Sequence, residues 1–440
     1  MKINTLSLEN FRCFEQAKFD LDERITLIVG DNAKGKTTIL EGLSVAMGGF
    51  LLGVPHSYVG VTKQAFVRNL HARDVQRYIL TSNQVATTEL KENCKVAACG
   101  PVGQHRSLSW HRLLKKAGGR TTNEGCKKIS AEAARLYETQ KTEGAVAENL
   151  PVLVYYGTGR LWAGQKTQNV NKFTAANTAL GYYYALKSDA QNKTLMPWLE
   201  WIDRIAYKKR IPDMPALVAV LDAITAMIPN ATHSYYSPEH SELVVEFKDK
   251  AFPYSDLSDG QRNMITLAGD LAMRCAQLNQ HLGKDAARKT PGIVLVDEVD
   301  ANIHPGWQKL LLPRLLEYFE NIQFVVTSHS PFILQSLDHG KIINLDHMNN
   351  PEQDADQWNR GVEDIVTDVM GVDTPRSALY QEMMETAQKY YQLLEAGKPA
   401  TDAEVKKLSN ELDQYELEFS EHPAYVALLK AQRKKQGLDG

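Results

Sequence analysis

The sequence predicts an α/β protein: a mixed, mostly parallel sheet carrying a phosphate loop, with an inserted antiparallel β lobe, a helical lobe and a C-terminal helical extension. Three observations carry that expectation. The apolar run "ITLIV" ends at Gly30-x4-Gly35-Lys36-Thr37 and leads into a helix-forming stretch. "GIVLVDEVD" and "IQFVVTSHS" are continuous apolar, β-branched runs, the pattern of central parallel strands buried on both faces. "MPWLEWIDRIAYKKR" and "MPALVAVLDAITAMIP" have apolar residues at helical spacing.

The elements divide the chain into an expected order. Residues 1–160 form a first lobe of strands, phosphate loop and helix, closed by the strand "PVLVYYGTGR", with a more polar segment at about 60–145 inserted. Residues 161–270 read as a helical lobe and 271–348 as core strands. Residues 349–440 contain acidic helices such as "DTPRSALYQEMMETAQKYYQLLEAG". No internal repeat or low-complexity linker interrupts this order. The net charge of −3 hides an asymmetry: residues 60–145 hold 15 Lys/Arg against 7 Asp/Glu, and 351–440 hold 10 against 18.

Composition narrows the class of function. Apolar content of 43% suffices for a packed core. The opening "MKINTLSLENF" lacks the apolar stretch of a signal peptide, and "ILEGLSVAMGGFLLGV" carries Glu41 and is too short for a bilayer span. Five cysteines without framework spacing imply reduced thiols. The expectation is a cytoplasmic protein with no membrane segment. Cys94, Cys99, His105 and His111 have a spacing zinc could use, but they fall in a hairpin-like segment and read better as strand residues.

Each position of the phosphate loop has a job. Gly30 and Gly35 allow the tight turn and the close approach of backbone N–H groups to phosphate. Lys36 neutralises β/γ-phosphate charge, Thr37 offers a hydroxyl to Mg²⁺, and the helix start adds its positive end. Asn32, Lys34 and Thr38 complete the cradle. In "IVLVDEVD", Asp297 suits the Mg²⁺ shell and Glu298 the polarisation of an attacking water. His329, in "VVTSHSP", sits just past a strand where a neutral imidazole can report on a γ-phosphate. "LSDGQR" precedes a strong helix, so Ser258, Gly260 and Gln261 make a second anion-binding edge.

In this order "GDNAKGKTT", "LSDGQR", "LVDEVDANIHP" and "TSHSP" resemble ABC-type ATPases of the SMC/RecF branch, and "INTLSLENFRCF" is similar to that branch's first strands. The resemblance covers roughly 1–55, 150–160 and 240–345. It implies an ABC-type head that hydrolyses ATP with Mg²⁺, with Arg12 as a phosphate contact. Ser258 and Gly260 would act in trans on a partner's ATP, and Asp300 and Ala301 would lie on the loop between subunits. Ala33 stands where a glycine is usual, and Asp259 replaces the first glycine of the signature. A glutamine coupling Mg²⁺ to the helical lobe is expected after "PVLVYYGTGR"; Gln165 and Gln168 are the candidates, with Tyr156 and Arg160 at the turn itself.

An exporter lacks its membrane span here, and a cohesin-type machine lacks its heptads. After His329 no cluster of a glutamate with a downstream DxD appears at strand ends, so the chain is not itself expected to be a nuclease. Length, "YYGTGRLW", "LSDGQR" and the tail together look like the ATPase subunits of Septu-type antiphage systems, also found beside retron reverse transcriptases. That likeness implies a homodimer or higher homo-oligomer controlling a separate HNH nuclease. A DNA-repair ATPase that clamps DNA is the alternative. Lys91, Lys95, Arg106, Arg112, Lys115, Lys116, Arg120, Lys127 and Lys128, with Trp110 among them, form a basic segment able to contact nucleic acid.

Overall fold

The computed structural model describes residues 1–55, 66–82, 85–140, 147–161, 178–187, 194–211, 213–346, 361–372, 377–399 and 401–418. The chain divides into two compact units, Met1–Met370 and Gly371–Gly440.

The first unit opens with β1 (Thr5–Phe11) and β2 (Phe14–Asp20), an antiparallel ribbon whose alternating side chains bury one face. β3 (Ile25–Val29) then enters the core and α1 (Lys36–Leu51) follows the phosphate loop. α1 is buried over nearly its whole length, consistent with apolar and small residues on all sides. β4 (Arg77–Ser82) and β5 (Val85–Leu90) form a two-stranded sheet. β6 (Cys94–Val102) and β7 (His105–Leu114) make the hairpin expected from the sequence.

That hairpin does not stand apart as a lobe. β6 pairs antiparallel with β1, so the order is β2-β1-β6-β7 and the inserted strands complete the N-terminal sheet. The alternation of buried and half-exposed residues along β6 drives this, because one face must cover α1. α2 (Lys127–Thr139) closes the segment, its apolar stripe of Ile129, Ala133 and Leu136 turned inward.

The central sheet has the order β14-β3-β13-β12-β8, and all four pairings are parallel. Its members are β8 (Val152–Tyr156), β12 (Gly292–Val296), β13 (Ile322–Thr327) and β14 (Lys341–Asn344), with β3 between the last two. Every residue of β3, β8, β12 and β13 is buried, as helices and the N-terminal sheet cover both faces. Gln323 is the buried amide among them. Its amide accepts from Ile3 N and donates to the Ile3 and Asp22 carbonyls, stitching the N-terminal strand to β13.

Between β8 and β12 lie α3 (Leu195–Lys209), α4 (Pro215–Met227), the antiparallel sheet of β9 (Ala231–Ser237), β10 (Glu242–Phe247) and β11 (Lys250–Pro253), then α5 (Asp259–Leu278) and the short α6 (Ala286–Lys289). α5 packs against α4 and is buried along most of its twenty residues. α7 (Pro305–Tyr318) follows β12, and α8 (Pro331–Gln335) follows β13. The carbonyls at the end of α7 are gathered by Arg24, which donates to Leu316, Phe319, Glu320 and Ile322. α9 (Val362–Asp364) runs into a π-helical turn near the end of the unit.

In the second unit, α10 (Ala378–Glu395) and α11 (Ala403–Glu418) pack as a helical hairpin. Tyr380, Met383, Ala387, Tyr390, Val405 and Leu412 form its core.

Candidate nucleotide site

Parallel pairing in register brings the ends of five strands together. Asn344 lies opposite Val29, Ile28 opposite Thr327, and Val296 opposite both Val326 and Tyr156. Whatever follows these residues must therefore share one crevice at the carboxyl edge of the sheet, the usual ligand position in such folds.

The phosphate loop occupies the middle of that edge. Gly30 and Gly35 have φ of 137° and 109°, conformations that L side chains resist. A Cβ on Gly35 would also lie 2.7 Å from the Phe14 ring. Ala33, where a glycine is usual, takes φ of 66°, a left-handed position that a small residue can hold. Asn32, Lys34 and Thr37 are exposed to the crevice side, whereas Thr38 is buried and accepts from the Cys13 thiol at 3.7 Å.

Lys36 folds back into the loop, donating to Gly30 O at 2.6 Å and Asp31 O at 2.8 Å. Burial pushes its pKa down, while Asp346, Asp297, Asp31 and Glu298 oppose that shift. Asp346, just past β14, accepts from Asp31 N at 2.8 Å and pairs with Lys34 at 3.5 Å. It braces the start of the loop.

The acidic pair faces this loop. The Thr37 hydroxyl donates to Asp297 Oδ2 at 2.9 Å, and Thr327 donates to Asp297 Oδ1 at 2.7 Å. Thr327 Oγ1 also accepts from Glu298 N at 2.7 Å. Asp297 is buried and Glu298 exposed, with φ of 47° at Glu298. A non-glycine residue held there is strained, and such strain collects at sites whose surroundings over-determine the backbone. Thr37 and Asp297 bring two hard oxygen donors together, a set that fits Mg²⁺ at this position.

His329 is exposed two residues past the end of β13. Its neighbour Ser330 caps α8 and donates to Gln308, whose amide donates to Ile303 O at 2.8 Å and Asp300 O at 3.5 Å. The histidine turn and the Asp300 loop are thus tied in one chain. Asp300 Oδ1 is buried without a hydrogen bond among the described residues.

The signature lies at the start of α5. Ser258 is the N-cap in a capping box: its Oγ accepts from Gln261 N, while Gln261 Oε1 accepts from Ser258 N at 2.9 Å. Gly260 passes so close to the Asp300 loop that a Cβ would meet Asn302 O at 2.8 Å. Asn263 donates to Ala301 O at 2.8 Å. Ser258 is exposed and, with Gly260, Gln261, Asn302, His304 and Trp307, borders an open hollow of about 680 Å³.

Other sequence-level candidates fall elsewhere. The Arg12 guanidinium is half-buried and pairs with Asp74 at 3.0 Å and Glu41 at 3.5 Å. Arg112 and Trp110 are buried: Arg112 donates to Asn69 and Arg68 O, and Trp110 Nε1 to Ala46 O. They leave the basic face, where Lys91, Lys95 and Lys116 pair with Glu15, Glu9 and Glu92. Arg106, Lys115, Arg120, Lys127 and Lys128 remain exposed. Cys94 is buried, its thiol donating to Asp74 O and its pKa pushed up to about 12 by burial. No group of three metal-capable side chains occurs among the described residues.

Gln165 and Gln168 lie outside the described residues, as does the Arg160 side chain. Tyr156 does not face the crevice; its hydroxyl donates to Asp270 at 2.8 Å inside the core. Sequence reasoning missed Thr327, Asp346 and Gln308. Thr327 stood in the quoted "VVTSHSP", and a hydroxyl ending an otherwise apolar strand was the available signal.

A second helix, capped by Ser258, stands beside the sheet that carries the phosphate loop, and the chain is similar in sequence to proteins named as probable ATPases. Residues 5–217 match a family model described as AAA domain, and residues 169–335 one described as AAA domain, putative AbiEii toxin, Type IV TA system. Among curated relatives, the Retron Vc95 probable ATPase of Vibrio cholerae serotype O1 biovar El Tor is 22% identical over 382 residues, 78% of this chain and 74% of that protein. The Retron Ec83 probable ATPase of Escherichia coli is 22% identical over 392 residues, 78% and 71% of the two chains. The Septu protein PtuA of Bacillus mycoides (strain KBAB4) is 33% identical over 183 residues, 40% of this chain and 25% of PtuA. Among the described residues no helix is long and apolar enough to cross a membrane.

Proposed function

We propose that this chain is the ATP-binding and ATP-hydrolysing regulatory subunit of a cytoplasmic antiphage defence complex. Two copies close head-to-head around ATP, and the assembly controls a separate HNH nuclease. The observation that carries the reading is the pairing of a phosphate loop and acidic pair at one sheet edge with an exposed, capped Ser258 facing outward beside the Asp300 loop. An exposed serine at a helix start is open to a neighbour's nucleotide.

In this mechanism Lys36 turns from the Gly30 and Asp31 carbonyls to the β- and γ-phosphates, and the loop N–H groups and the start of α1 hold the rest of the chain of phosphates. Thr37 and Asp297 would hold Mg²⁺, which when bound supplies charge neutralisation across the phosphate oxygens. Glu298 orients and polarises the attacking water, and His329 hydrogen-bonds the γ-phosphate from the adjacent strand end. The partner's Ser258 and Gly260 complete the shell in trans, with Asp300 on the shared loop. The helical region at 349–440 would serve docking or oligomerisation, and the exposed basic residues of 60–145 would contact nucleic acid.

Glu298→Gln is the test of the chemistry. ATP binding should stay within about threefold of wild type while turnover falls by about a hundredfold or more, as expected when a general base is removed. Unchanged hydrolysis would remove Glu298 from its role. Copurification with a small HNH protein supports the defence reading; ATP-dependent retention on duplex DNA by the chain alone would favour a DNA clamp instead.

A further inference from the structure

The end of β8 is bonded in two directions at once. The Tyr156 carbonyl accepts from Asp297 N at 2.8 Å, so this residue is directly attached to the acidic pair. Its hydroxyl points the other way, into the core, and donates to Asp270 Oδ2 at 2.8 Å. Asp270 belongs to α5, twelve residues beyond the Ser258 cap, a separation of about 18 Å along a helix.

The acceptor is a fully buried carboxylate that bonds to the central sheet, to the start of α3 and to its own helix. Asp270 Oδ1 accepts from the Thr194 hydroxyl at 3.1 Å, at the start of α3. Asp270 Oδ2 also accepts from Arg274 Nε at 2.6 Å. Arg274, itself buried, donates to the Gly181 and Tyr183 carbonyls at 2.9 and 3.1 Å. A buried ion pair is weak evidence for stability, because desolvation offsets its attraction. A buried network with its polar groups satisfied does specify one register, since a slipped arrangement would leave charges unpaired.

We propose that the Tyr156–Asp270 hydrogen bond is a positioning link: it holds the signature helix at the one setting, relative to Asp297 and Glu298, from which Ser258 completes the neighbouring site. Tyr156 touches no nucleotide. It acts through α5, which is buried along most of its length, and through Asp297, whose backbone it holds. The Asn263 bond to Ala301 O provides the second tie near the helix start, so α5 is fixed to the catalytic segment at two heights. The proposal rests on Ser258 acting in trans.

Tyr156→Phe removes only the hydroxyl. The expected result is ATP affinity within about twofold of wild type and kcat lowered by about tenfold or more, because the bond matters for closure and not for the cradle. Asp270→Asn should lower kcat similarly, and the double variant should be no worse than the poorer single one, the signature of two residues in one link. Unchanged kcat in Tyr156→Phe would overturn the proposal. So would a parallel loss of affinity, kcat and thermal stability, which would mark a general packing defect. Ser258→Ala, assayed alongside, separates the two layers: if it leaves hydrolysis intact, the trans reading itself fails. If it abolishes hydrolysis while Tyr156→Phe does not lower kcat, only the link fails.

Discussion

Thr327 carries two bonds, one to the Asp297 carboxylate at Oδ1 and one from the Glu298 backbone N–H, each 2.7 Å. Neither the water nor the nucleotide needs to touch it. Thr327→Val keeps the shape and deletes the hydroxyl; turnover should fall about 10- to 100-fold with nucleotide affinity little changed, measured by steady-state hydrolysis and ATP titration. Undiminished turnover would show that the backbone alone places the pair. Asp74 presents a second residue-scale case, bonded to Arg68 at 2.8 Å and Arg12 at 3.0 Å with no exposed surface. Burial opposes its charge, yet the Arg68 bonds and charge, the His71 N–H and Arg12 prevail, and its pKa is lowered. A depressed carboxylate contributes stability above its unfolded pKa of about 3.9, and that stability is lost as pH falls through the folded value. Asp74→Asn should therefore cost about 3 kcal/mol at neutral pH, and its melting temperature should fall less steeply than wild type on acidification below about pH 4. Parallel profiles would contradict this.

At the scale of elements, the parts written as local patterns were legible. The continuous apolar runs became β3, β8, β12 and β13, and the helix expected after "LSDGQR" became α5. What stayed hidden depends on distant partners. β6 pairs with β1 across about ninety residues, and no feature of either strand names the other, because alternation specifies a face and not a neighbour. The burial of Arg112 and Trp110 was hidden for the same reason: a charged residue on a strand reads as solvated until the element covering it is known. The glycine at 35 was legible as a turn residue, but its contact with Phe14 was not. Gly35→Ala meets both the positive φ and the 2.7 Å approach. It should weaken ATP binding by about tenfold or more while the fold melts within a few degrees of wild type. Normal affinity would show that the loop has room the geometry denies it.

For the whole molecule the question is whether one chain holds a complete site. In the first unit, the phosphate loop, Asp297, Glu298 and His329 share the sheet's carboxyl edge, while Ser258 is presented outward on the capped end of α5. Mixed assemblies of two variants answer this most directly. Lys36→Ala removes one cradle's cation, and Ser258→Arg blocks one signature edge, so each variant alone should be inactive. Co-expressed with different tags and purified through both, the mixed complex contains one intact cradle facing one intact signature. The account predicts that ATP hydrolysis returns, to about half the wild-type rate per dimer if the two sites work independently. A mixed complex as inactive as its parents would contradict the claim that two copies share each nucleotide.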